Sequence, residues 1–163
     1  MNNGLFAGLP NELPPASATQ YSYTTSDFNK TSNTTLSSIT GLTASLTSGG
    51  VYKLACTFFV PTGAGLGNYS YDLGGGTVTA SVVVGVFGYS TNSAGVGAQL
   101  PITSLTSSVG ASATNQTSYM VQITAFVTAS TTGTISPRFA QASSSVTTQT
   151  VSAGSFMVVE KMN

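Results

Sequence analysis

At 163 residues, with a formal net charge of zero and only 5% charged side chains, the chain is long enough for one domain with a sizeable core and short for two. Roughly a third of it is Ser or Thr, where an ordinary soluble domain is about a quarter charged, so solubility rests on hydroxyls, amides and backbone. Lys30, Lys53, Arg138 and Lys161 are scattered among Glu12, Asp27, Asp72 and Glu160; without a basic patch or aromatic–basic interleaving, nucleic acid is not an expected partner.

So little charge invites self-association, and the composition suits a member of an assembly better than a free monomer. The chain has no His, which removes the Ser-His-Asp and Cys-His nucleophile arrangements. The four carboxylates are far apart in sequence. Asp27 and Asp72 lack the ligand spacing of a calcium loop, and the run Leu73-Gly74-Gly75-Gly76 has no following Lys-Ser/Thr pair to make a phosphate loop. No catalytic residue, metal ligand or cofactor is expected, and the protein is not expected to be an enzyme. Cys56 is the single cysteine and reads as a core thiol. The opening MNNGLFAGLP lacks a secretory leader's pattern, and no apolar run approaches the roughly 20 residues of a membrane span. The protein is expected to be made and used in a reducing cytoplasm, or to leave it by a route other than a signal peptide, with no membrane partner.

In chain order, residues 1–20 place Leu5, Phe6, Leu9 and Leu13 among glycines and prolines, which forbids a continuous helix and favours an extended arm. The arm has three candidate placements: along this domain, on another subunit as an anchor, or disordered. The domain then runs over 21–163, opening with a loop or edge strand over 21–30. Residues 34–60 organise the rest: a short polar strand, a turn, a second short strand, the Gly49-Gly50 turn and a long strand. In that strand Tyr52, Leu54, Cys56, Phe58 and Val60 form an apolar face, and Val51, Lys53, Ala55, Thr57 and Phe59 a mixed one. Residues 61–77 read as a glycine-rich loop whose Tyr69 and Tyr71 are either contact residues or a hairpin tip packed on itself.

The second strong strand spans 78–89. Val78, Ala80, Val82, Val84 and Val86 share one face, and Val83, Phe87 and Tyr89 take the other. A loop with a short strand around Leu100, Ile102 and Leu105 follows. The third spans 117–129, with Tyr119, Val121, Ile123, Ala125 and Val127 opposed to Met120, Gln122, Thr124, Phe126 and Thr128. Over 134–142, Ile135 and Phe139 face away from Arg138, and Pro137 marks an edge or a bulge. After Gly154, the consecutive apolar residues Phe156-Met157-Val158-Val159 predict a central strand dry on both sides.

No window carries a helical period, and roughly seven to ten short strands with Gly, Ser and Asn turns predict an all-β, two-sheet sandwich. Its second faces carry Phe59, Val83, Phe87, Met120, Phe126, Met157 and Val159, where a lone sandwich would present hydroxyls. These seven are the candidate interface through which further copies cover one sheet.

The segment GLTASLTSGGVYKLACTFFV, with Gly50-Val51-Tyr52 opening its long strand, and the closing AGSFMVVEKM resemble the jelly-roll domains of tumour-necrosis-factor and complement globular-head type. They resemble more closely the small Ser/Thr-rich versions found in tailed-bacteriophage virion proteins. The resemblance spans residues 34–161 and implies a jelly roll that forms a homotrimer through its inner sheet. The expected function is that of a structural virion protein: a capsid decoration or cement protein, made in the host bacterial cytoplasm and placed on the capsid surface. Its arm and lower loops would grip the major capsid protein. The alternatives are a receptor- or glycan-binding tip of a tail or head fibre, with Tyr69, Tyr71 and Tyr89 stacking on host glycans, and a bare carbohydrate-binding module.

Overall fold

The computed structural model describes residues 18–61, 68–91, 95–96, 100–112 and 118–162; the arm residues Leu5, Phe6, Leu9 and Leu13 lie outside them. The regular structure in these residues is all strand. In chain order it comprises β1 (Thr19–Tyr23), β2 (Phe28–Lys30), β3 (Ser37–Ser38), β4 (Ala44–Leu46), β5 (Val51–Pro61), β6 (Asn68–Gly76) and β7 (Ala80–Thr91). It continues with β8 (Gly95–Val96), β9 (Leu100–Ile102), β10 (Val109–Ser112), β11 (Ser118–Ala129), β12 (Gly133–Gln141), β13 (Gln149–Val151) and β14 (Phe156–Lys161).

All of the pairings are antiparallel. A seven-stranded sheet runs β1-β14-β5-β11-β7-β8 with β9 also on β7; a five-stranded sheet runs β10-β6-β12-β3 with β4 also on β12; β2 and β13 form a two-stranded ribbon. The inner face of β5 is the predicted one: Tyr52, Leu54, Cys56, Phe58 and Val60 are all buried. Val121, Ile123, Ala125 and Val127 of β11 extend that layer, and Tyr69, Tyr71 and Leu73 of β6 with Ile135 and Phe139 of β12 supply the opposing one. The result is an antiparallel β-sandwich.

Tyr69 and Tyr71 are therefore core residues in a strand, not loop contacts. Tyr71 stacks on Phe58 across the two sheets at 5.7 Å between ring centroids and meets Phe139 at 5.3 Å. Tyr69 stacks on Phe139 at 5.9 Å. Tyr69, Tyr71 and Leu73 are a period-2 apolar face, masked in the sequence by the glycines on either side.

Pro137 lies beside a bulge, one of its two readings: Ser136 of β12 faces both Gly74 and Gly75 of β6, and the register resumes at Arg138 opposite Asp72. Gly76 follows it, opposite Ile135, with a φ of +96° that favours glycine and no room for a Cβ against the Thr134 carbonyl oxygen. Just beyond the bulge, Arg138 Nε donates to Asp72 Oδ1 at 2.7 Å and Nη2 to Oδ2. In this ion pair the Asp72 side chain is fully buried. The hydrogen bond to Asp72 holds the Arg138 pKa above its ordinary value against the opposing effect of burial.

Side-chain amides close the ends of the sandwich. Gln20 of β1 donates to the Ser45 carbonyl at 2.7 Å and accepts from the Ser45 amide at 2.8 Å, joining the two sheets at one edge as a strand partner would. Buried Gln141 accepts from Asn33 N and donates to the Thr147 carbonyl, fixing the crossing segments at the other.

Candidate functional site

The site is built from strand parity. Residues directly opposite each other in an antiparallel pair share a face, so the inward residues of β5 and β11 dictate which residues of their neighbours point outward. On β7, Val83 pairs with Val127 and Val84 with Phe126. Val83 is accordingly buried, while Val82, Val84 and Val86 point to solvent, Val84 at 62% exposure. On β14, Met157 pairs with Cys56 and Val159 with Leu54, which turns both into the core and leaves Phe156 and Val158 outside.

Three members of the candidate interface thus need correction. Val83, Met157 and Val159 belong to the inner layer, because the pairing register places them opposite inward residues. Phe59 and Phe126 do lie on the outer face, 41% and 47% exposed, and Met120 beside Phe59 is half-buried. Phe87 pairs through its backbone with Ile123 and Leu100, and its side chain lies outside the described residues, as does that of Tyr89. β14 does have strands on both sides, as predicted, but only one of its faces is dry.

The corrected outer face is a continuous surface across five strands. One row reads Val84, Phe126, Lys53, Glu160, Thr19; the next reads Val86, Thr124, Ala55, Val158, Tyr21. Phe156 lies between Thr57 and exposed Tyr23 in the following row and meets Phe59 at 6.5 Å between ring centroids. Val82, Val84, Val86, Phe156, Tyr21 and Tyr23 were missed as surface residues. The signal that finds them is the pairing of β7 and β14 with strands of known facing, which periodicity within one strand does not contain.

Chemistry is sparse elsewhere. Among the described residues no group of three or more His, Cys, Asp or Glu side chains comes together, and no helix is long and apolar enough to cross a membrane. Asp27 accepts from the Ala153 amide at 2.9 Å, and Asp72 is engaged by Arg138. Cys56 is buried among apolar neighbours, and the loss of solvation pushes its thiol well above the ordinary value. Such a thiol is a packing group. A cleft of about 290 Å³ opens between β6, β7 and the segment after β9.

The class defined by this geometry is an all-β antiparallel sandwich whose seven-stranded sheet carries exposed Val and Phe side chains on a mixed outer face. No family model matches the chain, and neither curated proteins nor solved structures give a match.

Proposed function

We propose that the protein is a structural virion component: a jelly roll that assembles as a homotrimer through the outer face of its seven-stranded sheet and stabilises a phage head as a decoration or cement protein. The observation that carries the assembly is the row of solvent-facing Val82, Val84, Val86 and Phe126, continued by Phe59 and Phe156. These side chains are 39–62% exposed, so covering what remains of each is worth on the order of 1 kcal/mol, roughly half the value for a fully exposed one, and exposed apolar side chains gathered on one face mark an interaction surface. A second copy of the chain supplies a partner of the same character.

The jelly-roll reading is supported by the order in which the chain visits the sheets. β4, β5, β6, β7, β10, β11, β12 and β14 alternate strictly between the five-stranded and the seven-stranded sheet, as a rolled antiparallel ribbon does. The virion reading draws on the sequence resemblance and on a neutral, hydroxyl-rich surface that lets many copies sit side by side without long-range repulsion. Its mechanism is buried area across a capsid seam rather than a reaction.

Sedimentation of the purified chain tests the assembly: a trimer is expected, with Phe126→Asp giving monomer, and a stable wild-type monomer in dilute solution overturns it. Binding to pre-assembled heads tests the role. The expected result is many copies per particle, lost on deletion of residues 1–15 while the trimer persists. A few copies per particle, together with binding to host cells, would instead favour a fibre tip.

A further inference from the structure

The cleft between the sheets points to a second kind of surface, independent of the first. Two chain crossings create it. The link from β6 to β7 leaves the five-stranded sheet for the seven-stranded one, and the segment after β9 returns. Ile102 is tied to Gly85 of β7, and three residues later the Leu105 carbonyl accepts from Leu73 N of β6 at 2.9 Å. Between these crossings the sheets part and leave a cavity of about 290 Å³ lined by residues 78–81, Val83, residues 103–106 and Gly74.

Its lining is of two kinds. Val83 and Leu105 form an apolar floor continuous with the core. Thr79, Thr103, Ser104 and Thr106 bring hydroxyls around it. Thr79 and Ser104 are partly committed, to Thr131 and Ser107, whereas the Thr103 and Thr106 hydroxyls have no hydrogen bond to any described residue. No charged side chain lines the cleft. Arg138 lies behind Gly74, where a Cβ would be 2.6 Å from its Nη2, and its charge is already balanced by Asp72. The missing side chain at Gly74 keeps that wall open.

From this lining we infer that the cleft binds one ring of a neutral saccharide. An anion would need a free cation, a flat aromatic ligand would need a stacking partner among the lining residues, and an aliphatic chain would leave the hydroxyls unsatisfied. A sugar ring presents hydroxyls that both donate and accept, matching Thr and Ser, and a C–H face that suits Val83 and Leu105. The volume lies at the lower limit of small-molecule sites, roughly 300–1,000 Å³, which admits one ring and not a chain. The ring is therefore a free sugar or the terminal residue of a glycan.

Saturation-transfer NMR on the full chain, with a panel of neutral methyl hexopyranosides, tests this. At least one is expected to bind with a dissociation constant on the order of 1 mM. Binding should be abolished by Thr106→Trp, which fills the cleft from an exposed position, and weakened about tenfold by the milder Thr103→Val. It should be retained by Phe126→Asp, which separates the cleft from any assembly of the outer face. A glycan array distinguishes a free sugar from a terminal residue. No transfer to any hexoside on the order of 10 mM, transfer equal to that of glycerol, or transfer that survives both cleft variants overturns the assignment.

Discussion

On the outside of the five-stranded sheet, Ser45 lies opposite Thr134 and Ser38 opposite Arg138; on the outside of the seven-stranded sheet, Val84 lies opposite Phe126 and Phe59 opposite Met120. Both faces belong to one short chain, drawn from one pool rich in Ser and Thr, and both need only β-compatible residues to hold their strands. Thr would satisfy that need on either. Cross-strand apolar pairs contribute roughly 0.2–1 kcal/mol each, too little to explain a wetted Val and Phe where hydroxyl pairs serve the other sheet. The asymmetry is what the proposed assembly accounts for, with another copy of the chain on one side and water on the other.

The contrast is broken most strongly at the ion pair on the five-stranded sheet. Arg138→Ala leaves Asp72 buried without its partner, and removing one member of such a pair costs about 3–5 kcal/mol. Urea denaturation should show this loss, while the molecules that remain folded keep the association of the parent. Pairing the change with Asp72→Ala should restore part of the loss, because the uncompensated charge is gone. On the apolar face the consequences exchange places. Val84→Asp should change the stability of the separated chain by less than about 1 kcal/mol, yet weaken association roughly a hundredfold by placing a carboxylate in a dry contact. Denaturation at two protein concentrations, read beside sedimentation, separates the two effects.

The sequence carried one of these faces well and the other poorly. The inner layer was legible because Tyr52 to Val60 and Val121 to Val127 alternate cleanly, and a buried face imposes that alternation on its own strand. The outer face was legible only where the opposite side of the same strand was unmistakably core, as at Phe59 and Phe126. Where both parities are apolar, as in Val82-Val83-Val84 and Phe156-Met157-Val158-Val159, facing is decided by register against a neighbour, and a one-residue slip inverts it. Tyr69 and Tyr71 were obscured differently, since the glycines that accommodate Arg138 and the Thr134 carbonyl make a buried strand look like a loop. The cleft had no sequence signature, because it arises from two crossings brought together by the topology.

A smaller effect sharpens the comparison from the core that the two sheets share. Burial raises the Cys56 thiol above its ordinary value of 9.0, so the folded state holds a proton that the unfolded state releases. The sign follows: this contribution to stability is fully present below about pH 9 and is lost progressively above it, by up to about 1.4 kcal/mol per pH unit. The alkaline fall in stability should be shallower in Cys56→Ala than in the parent, after allowance for the cavity that the variant creates. Equal slopes would place the thiol in contact with water.

The smallest expected effect is the most discriminating for the partner argument. Replacing Ser45 and Thr134 by Val puts an apolar cross-strand pair on the polar sheet, at positions joined in register. The Gln20 clamp acts through the Ser45 backbone, so it survives, and stability should move by no more than about 0.5 kcal/mol. Sedimentation should be unchanged, because an isolated apolar pair ringed by hydroxyls offers no contiguous surface for another copy to cover. If this pair alone drives association, then any apolar residues on this scaffold are sufficient. The arrangement of Val84, Phe126, Phe59 and Phe156 would then lose its claim to be a surface shaped for its own kind.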